Sequence, residues 1–346
     1  MPKRLKTLLI ALSLVGTLLT GCGEEAQEGS TEDESAAETQ LDEEQIEVAA
    51  SFLPVYLLTL EVAEGAERLE LDWIIDPAAG DPHNYQLRPD DRVKLERADA
   101  VVINGLGLES FLHGVLEEFE GETEVIVATA GIEPLPARDD GQGGHHGAGH
   151  EDDHEAGHDE GHEEGQDEGH QEHHGEYNPH VWTSPLQAAR MAETIAAALG
   201  DLLPDQRELF AENAAALAGE LRSIHEELVA VVAAAENNRV VVNHDAFPYL
   251  ARDVGLEIVG LLNANPGAPL SAGELAELAR EVELNVAAAI FVEPQYPDDA
   301  GRTLAEMTGL PVHTLDPGAT GEARLGWFVE LQRENLAALR AALLGE

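Results

Sequence analysis

PDQRELFAENAAALAGELRSIHEELVAVVAAAE, residues 204–236, decides how the rest of the chain is read. After its first residue it holds no proline, and its only glycine is Gly219. Alanine, leucine and glutamate dominate, and all three favour helix. Leu209, Ala216, Leu217, Leu221, Ile224, Leu228, Val231 and Val232 recur at helical spacing, which predicts one continuous helix. About 30 residues at 1.5 Å rise make a rod of roughly 45–50 Å. That is longer than one domain needs and suits a rigid strut joining two.

On both sides of the strut, short β-branched runs alternate with helical patterns. Before it, residues 46–52, 68–75, 100–104 and 124–128 read as strands, and 55–64, 89–97 and 108–119 as helices. Ser184 and Pro185 then open a further helix, a good N-cap and first-turn pair. After the strut, 239–243, 256–260, 286–293 and 312–315 read as strands, and 246–254, 272–283, 297–308 and 322–344 as helices. Ser271 with Glu274 forms a capping box for the second of these. Strands separated by helices predict parallel sheets covered by helices. The fold class is therefore α/β, with two similar lobes, 46–200 and 238–346, joined by one long rigid helix, 201–237.

The N-terminus is of another kind. Lys3, Arg4 and Lys6 precede an apolar run, 8–19, which falls short of the ~20 residues of a membrane span. Leu19-Thr20-Gly21-Cys22 follows, and Cys22 is the chain's one cysteine, so no intrachain disulfide forms. The arrangement resembles the bacterial lipoprotein signal: 1–21 would be the leader and Cys22 the lipid-attachment residue. Residues 22–45 are acidic and read as a disordered tether. The expected location is extracytoplasmic, anchored by lipid to a bacterial membrane.

A formal net charge of −49 disfavours nucleic acid and anionic membrane surfaces as partners and favours cations. Segment 139–174 contributes thirteen acids without a Lys or Arg. The stretch from Gly143 to Trp182 also holds ten of the fifteen histidines. In the loop, 139–176, these are His145, His146, His150, His154, His158, His162, His170, His173 and His174. Its many glycines oppose a stable helix, so these imidazoles are expected to collect ions weakly, with fast exchange.

Four stretches carry the chemistry: DPAAGDPHNYQLRPDD around His83, NPHVWTSP around His180, VVNHDAFPYLARDVGL around His244 and HTLDPGATG around Asp316. His244 and Asp316 lie just beyond expected strand ends, and His83 lies in the loop after one. Ligands of open α/β sheets bind in the crevice outside those ends. Two facing lobes would bring all four residues together. Three imidazoles and a carboxylate make a closed tetrahedral set that suits Zn²⁺. Their wide separation rules out a local zinc finger.

These motifs, the Ala-rich strut and FVEPQYPDDAGRTLAEMTGLPV resemble the solute-binding lipoproteins of bacterial zinc and manganese ABC importers. The resemblance runs from about Ile46 to the C-terminus, interrupted by the acidic His loop. It implies two β/α sandwich lobes with the metal site in the cleft between them, and a long helix that limits hinge motion. It implies ligands at His83, His180, His244 and Asp316, Zn²⁺ as the transported ligand, and an ABC-type metal permease as partner. Manganese-type members place a carboxylate at the third position, so His244 points to zinc rather than manganese. "TSP" after Val181-Trp182 departs from the apolar-Asp-Pro usual in the family.

Alternatives within reach are manganese or iron uptake, a zinc-binding adhesin or buffering surface protein, and a zinc hydrolase. The last needs an open coordination position and a positioned base, and no motif here offers them, so no enzymatic activity is expected. A monomer is expected. His313 on a strand reads as packed or exposed, His225 on the strut as a solvated-face residue and His113 as helix surface. Glu293, at a strand end, reads as structural.

Overall fold

The computed structural model describes residues 45–79, 82–119, 121–138, 176–263 and 270–345. Cys22, the leader, the tether up to residue 44 and the loop histidines lie outside the described residues.

The first sheet is built from β1 (Ile46–Ala50), β2 (Leu69–Trp73), β3 (Ala100–Ile103) and β4 (Glu124–Val127), all parallel, in the order β2-β1-β3-β4. Successive residues of β1 face opposite sides. Val48 and Ala50 enter one core, and Ala49 enters another with Leu95, Val101 and Leu112. That is why the strand is apolar throughout: helices cover both faces of a parallel sheet. The first connecting helix, α1 (Leu53–Val62), is buried on nearly every side. α2 (Pro89–Arg97) begins with proline, whose missing N–H is harmless in a first turn. The region 108–119 forms a 3₁₀ turn, Ser110–Leu112, and then the short α3 (His113–Glu118). Helix starts late because the turn that begins at Gly105, Leu106 and Gly107, all with positive φ, runs on through Glu109.

α4 (Pro185–Leu202) starts where Ser184 Oγ accepts the Gln187 N–H, the expected cap. The strut is α5 (Arg207–Ala234), entered through a 3₁₀ turn at Pro204–Gln206. Its buried stripe changes core midway. Phe210, Ala214, Leu217, Ala218 and Leu221 pack in the core of the first lobe. Ile224, Leu228, Val231 and Val232 pack in the core of the second.

The second sheet repeats the first. β5 (Arg239–Val242), β6 (Glu257–Leu261), β7 (Ala289–Val292) and β8 (Val312–Thr314) are parallel, in the order β6-β5-β7-β8. Its helices are α6 (Pro248–Val254), α7 (Ala272–Asn285), α8 (Asp299–Thr308) and α9 (Trp327–Leu344). The capping box of α7 forms: Ser271 Oγ accepts the Glu274 N–H at 3.3 Å, and Glu274 Oε2 accepts the Ser271 N–H at 2.8 Å. β7 begins at Ala289, not at 286, because α7 extends to Asn285 and Val286 ends it in the left-handed region. α9 begins at Trp327, not at 322. Gly326 has φ 78°, and Trp327 fills the space where Gly321 would carry a Cβ.

α9 has a part the strut does not play alone. Phe328 sits in the first core, while Leu336 and Leu339 sit in the second. Glu220 pairs with Arg333 at 3.4 Å and Glu227 with Arg340 at 3.5 Å. Both partners advance by seven residues, so α9 runs parallel to α5 and the two lobes share two helices. No described helix is long and apolar enough to cross a membrane.

Candidate metal centre

The chain places three imidazoles at the mouth of the cleft by three local devices. His83 sits in a 3₁₀ turn, Pro82–Asn84, in the connection from β2 to α2. Its side is exposed. His180 precedes another 3₁₀ turn, Val181–Thr183, just ahead of α4. His244 lies two residues beyond β5. His180 and His244 are both 6 % exposed.

Their Nε2 atoms converge. His180 Nε2 stands 3.0 Å from His83 Nε2 and 3.3 Å from His244 Nε2. A zinc ion bound at the usual Zn–N length of about 2.0–2.1 Å in a tetrahedron holds its nitrogens roughly 3.3–3.4 Å apart. Both distances from His180 therefore match a tetrahedral site to within a few tenths of an ångström. Among the described residues these three form the group of His, Cys, Asp or Glu whose donor atoms all lie within 4.8 Å of one another. They line a cleft together with Trp182, Gln295, Tyr296 and Pro317.

Two of the rings are held at their far nitrogen. Asn178 Oδ1 lies 3.1 Å from His180 Nδ1, and Glu293 Oε1 lies 2.7 Å from His244 Nδ1. Both oxygens are acceptors there, so each Nδ1 carries the proton and each Nε2 presents its lone pair to the cleft. Glu293 is 2 % exposed, and its other oxygen accepts from Gln295 Nε2 at 2.6 Å. The His180 ring packs against Trp182 at 5.2 Å between centroids, and His244 against Tyr296 at 5.8 Å. Burial, followed by the neighbouring His83 and His244, holds the His180 pKa well below its usual value. His180 is thus neutral, as metal ligation requires.

Asp316 stands outside this group. Its Oδ1 accepts the Gly318 N–H at 2.7 Å, and its own N–H donates to Asn335 Oδ1 at 2.9 Å. Burial above all, then repulsion from Glu293 and Glu334, pushes its pKa up to about 6. The next residue, Pro317, lines the cleft and accepts the Trp182 indole N–H at 2.7 Å. His313 packs beside Phe291, His225 lies partly buried on α5, and His113 is exposed beside Glu117.

Glu293 and Asn178 are the residues the sequence motifs leave unassigned. A signal for Glu293 exists: it follows β7 directly, at the same edge of the sheet as His244. Asn178 has only its place two residues before His180.

The chain matches the family described as zinc-uptake complex component A, periplasmic (ZnuA), over residues 48–342. It is 29 % identical over 302 residues to the zinc-binding lipoprotein AdcA of Streptococcus pneumoniae, covering 85 % of this chain and 55 % of that one. It thus spans about half the length of that relative. It is 25 % identical over 342 residues to the high-affinity zinc uptake system protein ZnuA of Bacillus subtilis, covering 97 % of each. Among solved structures it is similar to a crystal structure of ZnuA, with a TM-score of 0.66 at 24 % identity, over 87 % of this chain and all of that one.

Proposed function

The chain belongs to the family of periplasmic zinc-uptake complex component A proteins, and from that premise we propose that it captures Zn²⁺ outside the cell membrane and delivers it to an ABC-type metal permease. The observation that carries the proposal is the convergence of three imidazole nitrogens, with His83 Nε2 and His244 Nε2 at 3.0 and 3.3 Å from His180 Nε2. Imidazole selects later first-row metals, whereas a site for manganese gains from carboxylate at the third position. Zinc is therefore the cargo, bound by His83, His180 and His244.

Asp316 completes the tetrahedron in this reading. A carboxylate whose pKa is pushed to about 6 by burial and by two neighbouring acids gains from an arriving dication, since opposite charge restores its ionised form. Capture would draw the loop 315–320 toward the histidines. Residues 46–200 and 238–346 act as the two closing lobes, and 201–237 as the helix that limits their motion. Cys22 carries the lipid, and the histidines of 139–176 gather ions weakly for the tight site. The chain performs no chemical transformation and acts as a monomer.

The test is a metal titration of the purified apo protein with zinc and manganese in competition. One tight zinc per chain, retained against equimolar manganese, is the expected result. Manganese winning at the tight site contradicts the assignment.

A further inference from the structure

We propose that Asn178 is a positioning residue for metal capture, fixing the tautomer of His180 and tying the His180 loop to the His244 loop. The inference rests on the reading of His180 and His244 as ligands. Asn178 is 3 % exposed, and both ends of its amide are fully engaged. Oδ1 accepts the His180 backbone N–H at 3.0 Å and faces His180 Nδ1 at 3.1 Å. Nδ2 donates to the Asp245 carbonyl at 2.7 Å and to Asp245 Oδ2 at 3.0 Å.

The orientation of the amide admits no alternative. A backbone N–H only donates and a backbone carbonyl only accepts, so Oδ1 must face His180 and Nδ2 must face Asp245. From this the tautomer of His180 follows. Nδ1 holds the proton, and the Nε2 lone pair points at His83 and His244.

Asp245 is the residue next to His244, so one side chain spans the ligand loops of both lobes. The backbone of Asn178 adds a second tie. Its carbonyl accepts the Tyr249 hydroxyl at 2.8 Å, and the same hydroxyl oxygen accepts the Leu135 N–H at 2.9 Å. Asn178 N–H in turn donates to the Leu135 carbonyl at 2.8 Å. Tyr249 belongs to α6 of the second lobe yet lies in the first core. The ends of the segment leading into and out of 139–175 are therefore fastened to the second lobe at the residue that orients His180. Ligands carried by separate lobes are presented as one group, which lowers the ordering needed when the ion arrives.

Four full-length chains test this: wild type, Asn178→Ala, Asn178→Asp, and Asn178→Asp combined with Asp245→Asn. Asn178→Ala should weaken zinc binding about 10–100-fold, the usual effect of removing a partner of a metal-ligating histidine. Nitrogen-15 spectra of the apo protein should show His180 losing its single Nδ1–H tautomer. Asn178→Asp keeps an acceptor for His180 but sets a carboxylate against Asp245. It should hold the tautomer and still bind zinc more weakly than wild type. The double variant restores the side-chain amide–carboxylate pair in reverse, but not the bond to the Asp245 carbonyl, and should recover part of that loss. Should Asn178→Ala fail to fold, the two aspartate variants carry the test.

Wild-type affinity in Asn178→Ala overturns the proposal, as does a double variant no better than Asn178→Asp. In both cases the tight site of the wild type still stands. A wild type that binds no zinc tightly overturns the ligand assignment and this proposal together.

Discussion

β1 and β5 occupy the same place in two sheets of one design, yet what stands beyond their ends differs. In each lobe a buried glutamate, reached just past the third strand of the sheet, turns back to the end of the central strand. In the first lobe Glu109 Oε1 accepts the Ser51 hydroxyl at 2.8 Å, and Glu109 also accepts the Asn104 and Gly105 N–H groups at 2.7 and 3.0 Å. In the second lobe Glu293 Oε1 lies 2.7 Å from His244 Nδ1 and accepts the His244 N–H at 3.3 Å. Serine ends the chain of bonds. Histidine passes it on, because the ring has a second nitrogen on its far side. The same brace thus ends on a serine in one lobe and on a candidate metal ligand in the other, and the first lobe's candidate ligands, His83 and His180, stand in loops instead.

The comparison breaks most readily at the ligands. His180→Ala and His244→Ala should each abolish tight zinc binding, a fall of about 100-fold or more, but they should differ in the apo protein. Removing His244 leaves the buried Glu293 without its imidazole partner, which costs on the order of 1–3 kcal/mol. Removing His180 frees only the neutral amide of Asn178. Thermal unfolding of the two apo variants checks this; a His180→Ala chain less stable than His244→Ala would contradict it.

The two glutamates give the next contrast. Glu293→Gln should weaken zinc binding about 10–100-fold through His244. Glu109→Gln should leave zinc affinity close to wild type and lower stability by about 1–3 kcal/mol, since its new NH₂ group meets backbone donors. Calorimetric titration and denaturant unfolding of both variants separate the roles. Equal losses of affinity would mean that both glutamates serve the metal.

Which elements exist, and in what order, was legible because apolar runs of period two and stripes of helical spacing arise from burial that the sequence records. The errors fall where backbone conformation overrides pattern. Gly326 and Gly321 delay α9, Val286 ends α7 late, and the turn from Gly105 through Glu109 delays the helix in 108–119. The helix pair α5 and α9 was half legible: the stripe of α5 is continuous, but nothing in one helix's spacing says which neighbour it meets. His83, His180 and His244 were legible from their motifs and their loops at strand ends. Asp316 was placed in the same way, yet the fold holds its carboxylate on Gly318. Glu293 and Asn178 act through histidines far from them in sequence or through both ends of one amide, and that is visible only in three dimensions.

A smaller effect concerns protons. Burial and two neighbouring imidazoles hold the His180 pKa down. A histidine depressed in the folded state contributes stability above the unfolded pKa near 6.5, and loses it as pH falls below that value. The His180 contribution to apo stability should therefore fall on acidification from pH 7, against the opposite contribution of Asp316, and His180 should release no proton when zinc binds. Nitrogen-15 spectra of the apo protein from pH 7 to pH 5.5 check this, and a His180 ring protonated at pH 5.5 would contradict it.

The smallest effect should come from deleting 141–174. Weak sites vanish, the tight affinity stays within about threefold, and growth suffers only when zinc is scarce. The four proposed ligands lie outside that segment, and the three imidazoles already converge without it. Loss of tight binding on this deletion would place the site in the loop.

The central claim is that the zinc ion is held by His83, His180 and His244, and zinc-edge X-ray absorption on the singly loaded protein lacking 141–174 tests it most directly. A four-coordinate zinc with three imidazole nitrogens at about 2.0–2.1 Å is expected, falling to two in His180→Ala reloaded with zinc. A zinc surrounded chiefly by oxygen, or an imidazole count unchanged by His180→Ala, would contradict it.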